Sequence, residues 1–190
     1  PDREQREKLT RLALLALGTG CGPRVDGPPN LLVITLDTTR ADHLSCYGHD
    51  RETTPRLDAL AAEGVLFENC LTPVPITLPS HTTIFTGTYP TFHGVRENGE
   101  CYAPDELTTM AEIAGPRGYQ TAAFVGAFPV SSTFNLDQGF DHFDDRFFYP
   151  REDLGQIEPA ERVFFEERKA DKVSQAAISW LQDHGREPFF

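Results

Sequence analysis

Positive charge is scarce in this sequence. Its 190 residues include 17 lysines and arginines against 29 aspartates and glutamates, and the formal net charge at pH 7 is −12. Nucleic-acid-binding proteins need a basic face for the phosphate backbone, so the composition argues against DNA or RNA as a partner. An acidic surface by itself indicates no particular ligand. Acidic residues are densest between positions 141 and 171, where we expect a solvated face rather than a site.

Cysteine is also rare, and its spacing excludes the common zinc motifs. The four cysteines are Cys21, Cys46, Cys70 and Cys101. They form no CxxC pair and show no zinc-ligand spacing. A disulfide between two of the last three is compatible with an oxidising compartment, but four cysteines in a chain of this size do not require one.

The apolar run near the N-terminus, LALLALG over residues 12–18, is too short to span a bilayer. It follows a basic segment and precedes the small residues TGCG, an order that is typical of an export signal. With Cys21 after Gly20, the segment resembles a bacterial lipoprotein signal, although Gly18 stands where a larger aliphatic residue is usual. The basic segment also holds acidic residues, and a short amphipathic leader helix is the alternative.

Residues 1–29 are therefore predicted to form a leader or signal-like segment and a linker. The signal interpretation predicts an exported protein, either periplasmic or attached to a membrane through a lipid on Cys21. The chain begins with Pro1 rather than Met and closes on PFF, which is typical of a strand just beginning after a helix. We therefore expect a fragment of a longer polypeptide.

Apolar, β-branched runs alternate with amphipathic segments from Asn30 onward. The predicted strands are residues 31–36, 65–72 and 120–128, and the predicted helices are residues 54–64, 105–115 and 169–185. Strands and helices in alternation predict an α/β domain, with a mostly parallel sheet and helices on both faces.

Polar residues follow the first two predicted strands. Asp37 comes directly after residues 31–36, and the segment PITLPSHTTIFTG, residues 75–87, leaves the second strand and enters a helix near Pro79. Ligands of such folds bind at the carboxyl ends of the strands, and a helix N-terminus there would present its first amide N–H groups to an anion. Asp37 or Thr77 alone is more often a cap or a turn residue than part of a site. The pair, separated by a helix and a strand, is more informative and predicts a site.

Four stretches of the sequence carry a family resemblance: NLLVITLDTTRADHLSCYG, TTPRLDALAAEGVLFEN, PSHTTIFTGTYPTFHGV and LTTMAEIAGPRGYQTAAF. Together they resemble the N-terminal half of a sulfatase, a family of the alkaline-phosphatase superfamily of α/β metallohydrolases. The resemblance covers residues 30 to about 145. It implies that residues 30–190 are the N-terminal part of a sulfatase-like catalytic domain whose C-terminal part is missing.

The resemblance also implies a divalent cation, whether Ca²⁺, Mg²⁺, Mn²⁺ or Zn²⁺, at the carboxyl edge of the sheet. Asp37 matches the family's first ligand, Thr38 occupies the position of the usual second ligand, and Thr77 supplies a hydroxyl oxygen. Hard cations prefer several carboxylate oxygens, so further ligands are expected beyond Phe190.

The nucleophile position departs from the family pattern. Sulfatases carry Cys or Ser in a C/S-x-P-x-R motif, and that residue is oxidised to formylglycine. The matching residues here are Thr77-Leu78-Pro79-Ser80-His81. Threonine cannot yield the aldehyde, because its β-carbon bears a methyl group. His81 replaces the arginine. It either binds the anion or protonates a leaving group, or it is a solvent-facing helix residue.

Other polar residues have structural interpretations. The family's Gly-Lys-x-His stretch after the third strand reads FVGAFPV here, so positive charge near an ester has to come from elsewhere. Arg40 and Arg96 are expected to be ion-pair partners, and His93 is expected to be structural. Asn98 and Gly99 predict a tight turn.

Three functions remain open, each with a small anionic ester or anion as the ligand. Thr77 attacks directly, as the Thr nucleophiles of related phosphodiesterases and phosphoglycerol-type transferases do. Alternatively, the unmodified hydroxyl cleaves sulfate esters, or the domain has lost catalysis and only binds anions. We prefer direct attack on phosphate esters, because a sulfate carried on a simple alcohol would be hard to release.

Overall fold

The computed structural model of the protein describes residues 27–147 and 167–190. Cys21 and nearly all of the predicted leader lie outside the described residues, as does most of the acidic stretch between positions 141 and 171. In the two described ranges, no helix has the length and apolar character needed to cross a membrane.

Five α-helices and two short β-strands are formed by the described residues. The helices are α1 (Pro55–Glu63), α2 (Thr77–Thr86), α3 (Pro90–His93), α4 (Met110–Ala114) and α5 (Ala170–His184), and the strands are β1 (Ala122–Phe124) and β2 (His142–Asp144). Single 3-10 turns lie at Ala41–His43, Ser45–Tyr47, Gly115–Arg117, Phe128–Val130 and Ser132–Phe134.

The strands are parallel, as predicted. β1 pairs with β2, with Ala123 opposite Phe143. On the other side of β1, Ala122 N–H donates to the Phe190 carbonyl at 2.8 Å and Phe190 N–H donates to the Gln120 carbonyl at 2.9 Å. Residues 188–190 therefore run parallel to β1 through an isolated bridge between Gln120 and Phe189. Helix α5 contacts the sheet through the edge contact of Trp180 with Phe124.

Helix α2 lies between two apolar clusters, which fix its position. Leu78, fully buried in the first turn of α2, packs in a cluster with Val95 and Leu107. Phe85, near the other end of the helix, packs against a second cluster that contains Phe190. Burial at both ends of α2 holds its N-terminus, and therefore Thr77, in one place.

The strands predicted at residues 31–36 and 65–72 are not formed, and this expectation was wrong for the described residues. Their apolar side chains are exposed, with Ile34 at 71%, Val65 at 81% and Leu71 at 91%. A parallel strand needs hydrogen-bonding neighbours and apolar cover on both faces. Among the described residues, the first segment makes one backbone-to-backbone hydrogen bond to another segment, from Leu31 N–H to the Phe189 carbonyl. The second segment makes no backbone-to-backbone hydrogen bond within the described ranges.

The predicted helix at residues 105–115 is shorter than its apolar pattern indicates. Thr109 Oγ1 accepts from Glu112 N–H at 3.1 Å, and Glu112 Oε2 accepts from Thr109 N–H at 2.8 Å. This reciprocal capping box makes Thr109 the N-cap, so α4 begins at Met110.

Asp144 is an exception to the expected solvated acidic face, because Asp141 and Asp171 are exposed whereas Asp144 is buried. Its side chain is only 1% exposed, and it lies 2.8 Å from Arg146 Nε and 3.2 Å from Arg168 Nη1. The hydrogen bonds from Arg146, followed by the charge of Arg168, hold the pKa of the Asp144 carboxyl well below its ordinary value. Asp144 therefore anchors the end of β2 to the chain that leads into α5.

Candidate active site

Asp37 and Thr77 are 40 positions apart in the sequence and in direct contact in the structure. Thr77 Oγ1 donates a hydrogen bond to Asp37 Oδ2 at 3.1 Å. The other carboxylate oxygen, Asp37 Oδ1, accepts from Thr38 N–H at 3.0 Å. Asp37 is exposed and Thr77 is half-buried at the first residue of α2. A carboxylate and a hydroxyl therefore converge at a solvent-accessible helix N-terminus.

Thr38 adopts an unusual backbone conformation, with φ at +53°. Left-handed backbone is unfavourable for a β-branched residue, and strain of this kind is concentrated at functional sites. The turn keeps Thr38 exposed beside Asp37 and directs its amide at the carboxylate. Thr38 thus lies next to Asp37, its predicted partner.

The N-terminus of α2 offers fewer amides than the sequence led us to expect. Leu78 N–H donates to Asn98 Oδ1 at 2.8 Å, and Ser80 N–H closes the first helical turn. Pro79 has no N–H to donate. Within the described part of the chain, Thr77 N–H is the first-turn amide without a hydrogen-bond acceptor. An anion at this helix end would therefore meet one amide rather than several.

His81 is buried, and the alternative of a solvent-facing residue is wrong. Its side chain is 7% exposed and lies against Phe85 at a ring separation of 6.4 Å. Nδ1 lies 2.8 Å from the Thr77 carbonyl oxygen and Nε2 lies 3.2 Å from Thr35 Oγ1. Because a carbonyl oxygen can only accept, Nδ1 carries the hydrogen.

His93 is also buried, at 2% exposure, as expected for a structural residue. Val95 N–H donates to His93 Nδ1 at 3.1 Å, so the ring hydrogen is on Nε2, which lies 3.1 Å from Thr83 Oγ1. Burial lowers the pKa of His93 below its ordinary value. The neutral ring thus joins the body of α2 to the chain that follows α3.

Arg40 is an ion-pair partner, as predicted. Its guanidinium donates to both carboxylate oxygens of Asp42, from Nε to Oδ1 at 2.9 Å and from Nη2 to Oδ2 at 2.5 Å. The hydrogen bond to Asp42 also raises the pKa of Arg40. The charge of Arg40 is therefore directed at Asp42, although both side chains remain exposed to solvent.

Sequence reasoning missed Asn98 and Thr35 as parts of this site. Asn98 was assigned only to a tight turn, in which Gly99 does adopt a positive φ of 85°. Its acceptor role depends on a partner 20 positions away, and the contact of Thr35 with His81 spans 46 positions. Neither residue carries a local signal that would indicate these contacts.

The donor atoms fit part of a site for a hard cation. Asp37 supplies carboxylate oxygens, and Thr77 adds a hydroxyl oxygen 3.1 Å from one of them. Oxygen donors of this kind suit Mg²⁺ and Ca²⁺. Across residues 27–147 and 167–190, no group of three or more His, Cys, Asp or Glu side chains is arranged to hold a metal ion. The described residues therefore supply part of a ligand set.

The parallel α/β arrangement, with a carboxylate and a hydroxyl at the start of α2, belongs to the alkaline-phosphatase-like class of hydrolase folds. Several solved structures are similar to it. A 2-O GAG sulfatase matches with a TM-score of 0.55 and 24% identity over 69% of this chain and 27% of that chain. The phosphonate monoester hydrolase of Agrobacterium radiobacter matches with a TM-score of 0.50 and 26% identity over 83% and 29% of the two chains.

The chain belongs to the sulfatase family, because the Sulfatase family model matches residues 29–190. Human arylsulfatase A is 35% identical over 142 residues, which are 70% of this chain and 28% of arylsulfatase A. The chain thus spans about a quarter of the length of this curated relative. The family and the fold predicted from the sequence are therefore confirmed.

Proposed function

We propose that this chain carries the nucleophile of a metal-dependent ester hydrolase in which Thr77 attacks directly, with phosphate esters preferred over sulfate esters. The observation that carries the proposal is the hydrogen bond from Thr77 Oγ1 to Asp37 Oδ2 at the start of α2. Because the chain covers 28% of arylsulfatase A, we further propose that the remaining metal ligands come from the C-terminal part of a longer polypeptide.

The chemistry of threonine supports phosphorus as the centre of attack. Oxidation at the Thr77 β-carbon cannot produce an aldehyde, so the elimination that frees sulfate from a hydrated formylglycine is not open to it. A phosphoryl group on a threonine oxygen can instead be released by attack of water on phosphorus. The similar fold of a phosphonate monoester hydrolase supports the same preference.

The residues of the site have distinct roles in this proposal. A divalent cation held by oxygens of Asp37, Thr38 and Thr77 would lower the pKa of the Thr77 hydroxyl and offset the negative charge of the ester. Asp37 Oδ2, which already accepts the Thr77 hydrogen bond, lies where it can receive the hydroxyl proton. Thr77 Oγ1 then bonds to phosphorus and the ester oxygen leaves, while Thr77 N–H can donate to a phosphoryl oxygen.

A non-catalytic anion-binding domain is the second candidate. The loss of catalysis in this candidate is favoured by two features, the replacement of the motif arginine by His81 and the neutral stretch FVGAFPV where the family has lysine and histidine. Both changes remove fixed positive charge from the neighbourhood of an ester. Such a domain would bind sulfate or phosphate groups and turn over neither.

The experiment compares the full-length protein with Thr77→Ala and Thr77→Ser on aryl sulfate, phosphate monoester and phosphodiester substrates. Each assay is run with Mg²⁺, Ca²⁺, Mn²⁺ and Zn²⁺. We expect phosphoester turnover that falls at least about 10³-fold in Thr77→Ala and is partly retained in Thr77→Ser, which keeps the hydroxyl. Unchanged activity in Thr77→Ala would remove Thr77 as the nucleophile.

The remaining outcomes of the assay separate the alternatives. Turnover of the sulfate ester alone would contradict the preference for phosphate. Anion binding without turnover, with every metal and every substrate, would favour the non-catalytic domain.

We also propose that the protein is exported and lies in the periplasm or on a membrane through a lipid on Cys21. The support is the order of basic, apolar and small residues before Cys21. Labelling cells with a fatty-acid analogue tests the lipid, and Cys21→Ser should abolish the label. A labelled Cys21→Ser variant would contradict the attachment at Cys21.

A further inference from the structure

We propose that His81 is a positioning residue, which holds Thr35 against the first turn of α2 and thereby keeps Asp37 in contact with Thr77. This inference rests on the proposed function, since it concerns the same nucleophile. It goes beyond that function by giving a role to Thr35, and it replaces proton transfer as the role of His81.

The ring of His81 bridges two segments through both of its nitrogens. Nδ1–H donates to the Thr77 carbonyl oxygen at 2.8 Å, within α2. Nε2 lies 3.2 Å from Thr35 Oγ1, in the segment before Asp37. With the hydrogen on Nδ1, the neutral ring accepts the Thr35 hydroxyl hydrogen at Nε2. At 7% exposure, this pair of bonds is largely shielded from water.

The hydrogen bonds and the chain between Thr35 and Asp37 together form a closed ring of contacts that includes the candidate nucleophile. Thr35 precedes Asp37 by two positions, and Asp37 Oδ2 accepts the hydrogen bond of Thr77 Oγ1. Thr77 in turn supplies the carbonyl oxygen that orients His81. A displacement of the ring would therefore move the carboxylate relative to the hydroxyl.

The segment that carries Asp37 has few other attachments among the described residues. Its apolar side chains are exposed, with Leu32 at 64% and Ile34 at 71%. Its backbone is bonded to another segment at Leu31. The bond of Thr35 to His81 and the bond of Asp37 to Thr77 are the long-range side-chain contacts that hold its carboxyl end.

The same geometry argues against His81 as the proton donor to a leaving group. A general acid needs a ring nitrogen within hydrogen-bond reach of the ester oxygen. Both nitrogens of His81 already have partners inside the protein, and Phe85 lies beside the ring. His81 would have to release Thr35 before it could face a substrate.

The test measures kcat and KM of the full-length enzyme for aryl phosphate esters with good and poor leaving groups. Thr35→Val removes the hydroxyl at nearly constant shape, Thr35→Ser keeps it, and His81→Gln removes the ring. We expect kcat to fall about 10- to 100-fold in Thr35→Val and in His81→Gln, because small misplacements of reacting groups have effects of this size. KM should change little, and Thr35→Ser should recover most of the rate.

Two features of the data separate positioning from proton transfer. Positioning predicts the same loss for good and poor leaving groups, and a double variant of Thr35→Val with His81→Gln that is no slower than the slower single variant. A loss in His81→Gln that grows as the leaving group becomes poorer, with Thr35→Val unaffected, would overturn the inference.

Nitrogen-15 NMR of the histidine rings supplies a readout that is independent of activity. We expect the neutral Nδ1–H tautomer for His81, with the Nε2 resonance shifted in Thr35→Val and unshifted in Thr35→Ser. An Nε2–H tautomer would overturn the inference whatever the rates show. If Thr77→Ala leaves turnover intact, the proposed function fails, and the spectrum alone then decides whether His81 holds Thr35.

Discussion

A threonine at the start of α2 has different chemistry from the cysteine or serine of the sulfatase pattern. Thr77 offers an unmodified hydroxyl, and its hydrogen bond to Asp37 orients that hydroxyl in the absence of a substrate. The two residues were paired from the sequence because each follows a predicted strand. They are in contact in the structure although neither of the two predicted strands, both within the described residues, is formed.

His93 is the residue for which the structure predicts a pH effect on stability. Burial lowers its folded pKa, and its Nδ1 accepts a hydrogen bond from Val95 N–H that a proton would displace. The unfolded chain therefore binds this proton more readily, and stability should fall as the pH drops below about 6.5. Urea unfolding between pH 7.5 and pH 5 checks the direction.

The control for this effect is His93→Gln, which removes the titrating group. The variant should be less stable, but its stability should depend less on pH in the same interval. An equal pH dependence in His93→Gln and in the wild type would show that another group is responsible.

Asp144 gives a second prediction at the residue scale. Asp144→Asn leaves the buried guanidinium of Arg168, which is 5% exposed, without its charge partner. Removal of one member of a buried ion pair lowers the free energy of unfolding by about 3–5 kcal/mol. Because the folded pKa of Asp144 is depressed, the wild type has this stabilisation above about pH 3.9 and loses it as the pH falls through the folded pKa.

Urea midpoints of Asp144→Asn and Asp42→Asn form a matched comparison. Asp42 pairs with Arg40 on the surface, where both side chains are more than half exposed, so its midpoint should hardly move. Similar midpoints for the two variants would contradict the structural role of Asp144.

Helix boundaries were predictable where the signal is local. Thr54, Pro55 and Gly64 bound α1 as expected, and α5 spans Ala170–His184 within the predicted residues 169–185. The absence of a strand at the described residues 31–36 could not be predicted from local sequence, because a strand forms only with partners that are distant in the sequence. The capping box at Thr109 was a local signal, but the apolar pattern upstream of it concealed the true start of α4.

The N-terminus of α2 gives a prediction at the scale of the element. Asn98→Ala removes the acceptor of Leu78 N–H, and the loss of such a cap costs about 1 kcal/mol. We also expect a lower kcat, because Leu78 adjoins Thr77. Thermal unfolding and steady-state kinetics measure the two effects.

Asn98→Asp is the control, since it keeps an oxygen acceptor at the same place. Its unfolding temperature should stay near that of the wild type. If Asn98→Ala is as stable and as active as the wild type, the contact does not position α2.

At the scale of the whole molecule, large apolar side chains are exposed in several places among the described residues. Val65, Leu71 and Phe67 are at least 68% exposed, and Ile34 is 71% exposed. Exposed apolar patches mark sites of interaction with protein, membrane or ligand. Because the chain covers 28% of arylsulfatase A, we propose that the rest of a longer polypeptide covers these residues.

Dye binding tests this proposal. A hydrophobic fluorescent dye should bind the isolated 190-residue chain strongly and the full-length protein weakly. Equal binding by both would contradict the proposal that the remaining polypeptide covers this surface.

Removal of the metal ion should abolish the activity of the full-length enzyme. The described residues supply part of a ligand set, so the full-length enzyme should lose turnover on treatment with a chelator and regain it with one divalent cation. Binding of that cation should raise the unfolding temperature, because ligands stabilise the state that they bind. Turnover that is unaffected by thorough chelation would contradict metal dependence.

The central claim, direct attack by an unmodified Thr77, is tested most directly by trapping the covalent enzyme. The full-length enzyme is quenched with acid during turnover of a phosphate monoester, digested and analysed by mass spectrometry. The account predicts that the peptide containing Thr77 is heavier by one phosphoryl group, which fragmentation assigns to Thr77, and that Thr77→Ala shows no such mass. Sustained turnover with a phosphoryl group on a different residue would contradict it.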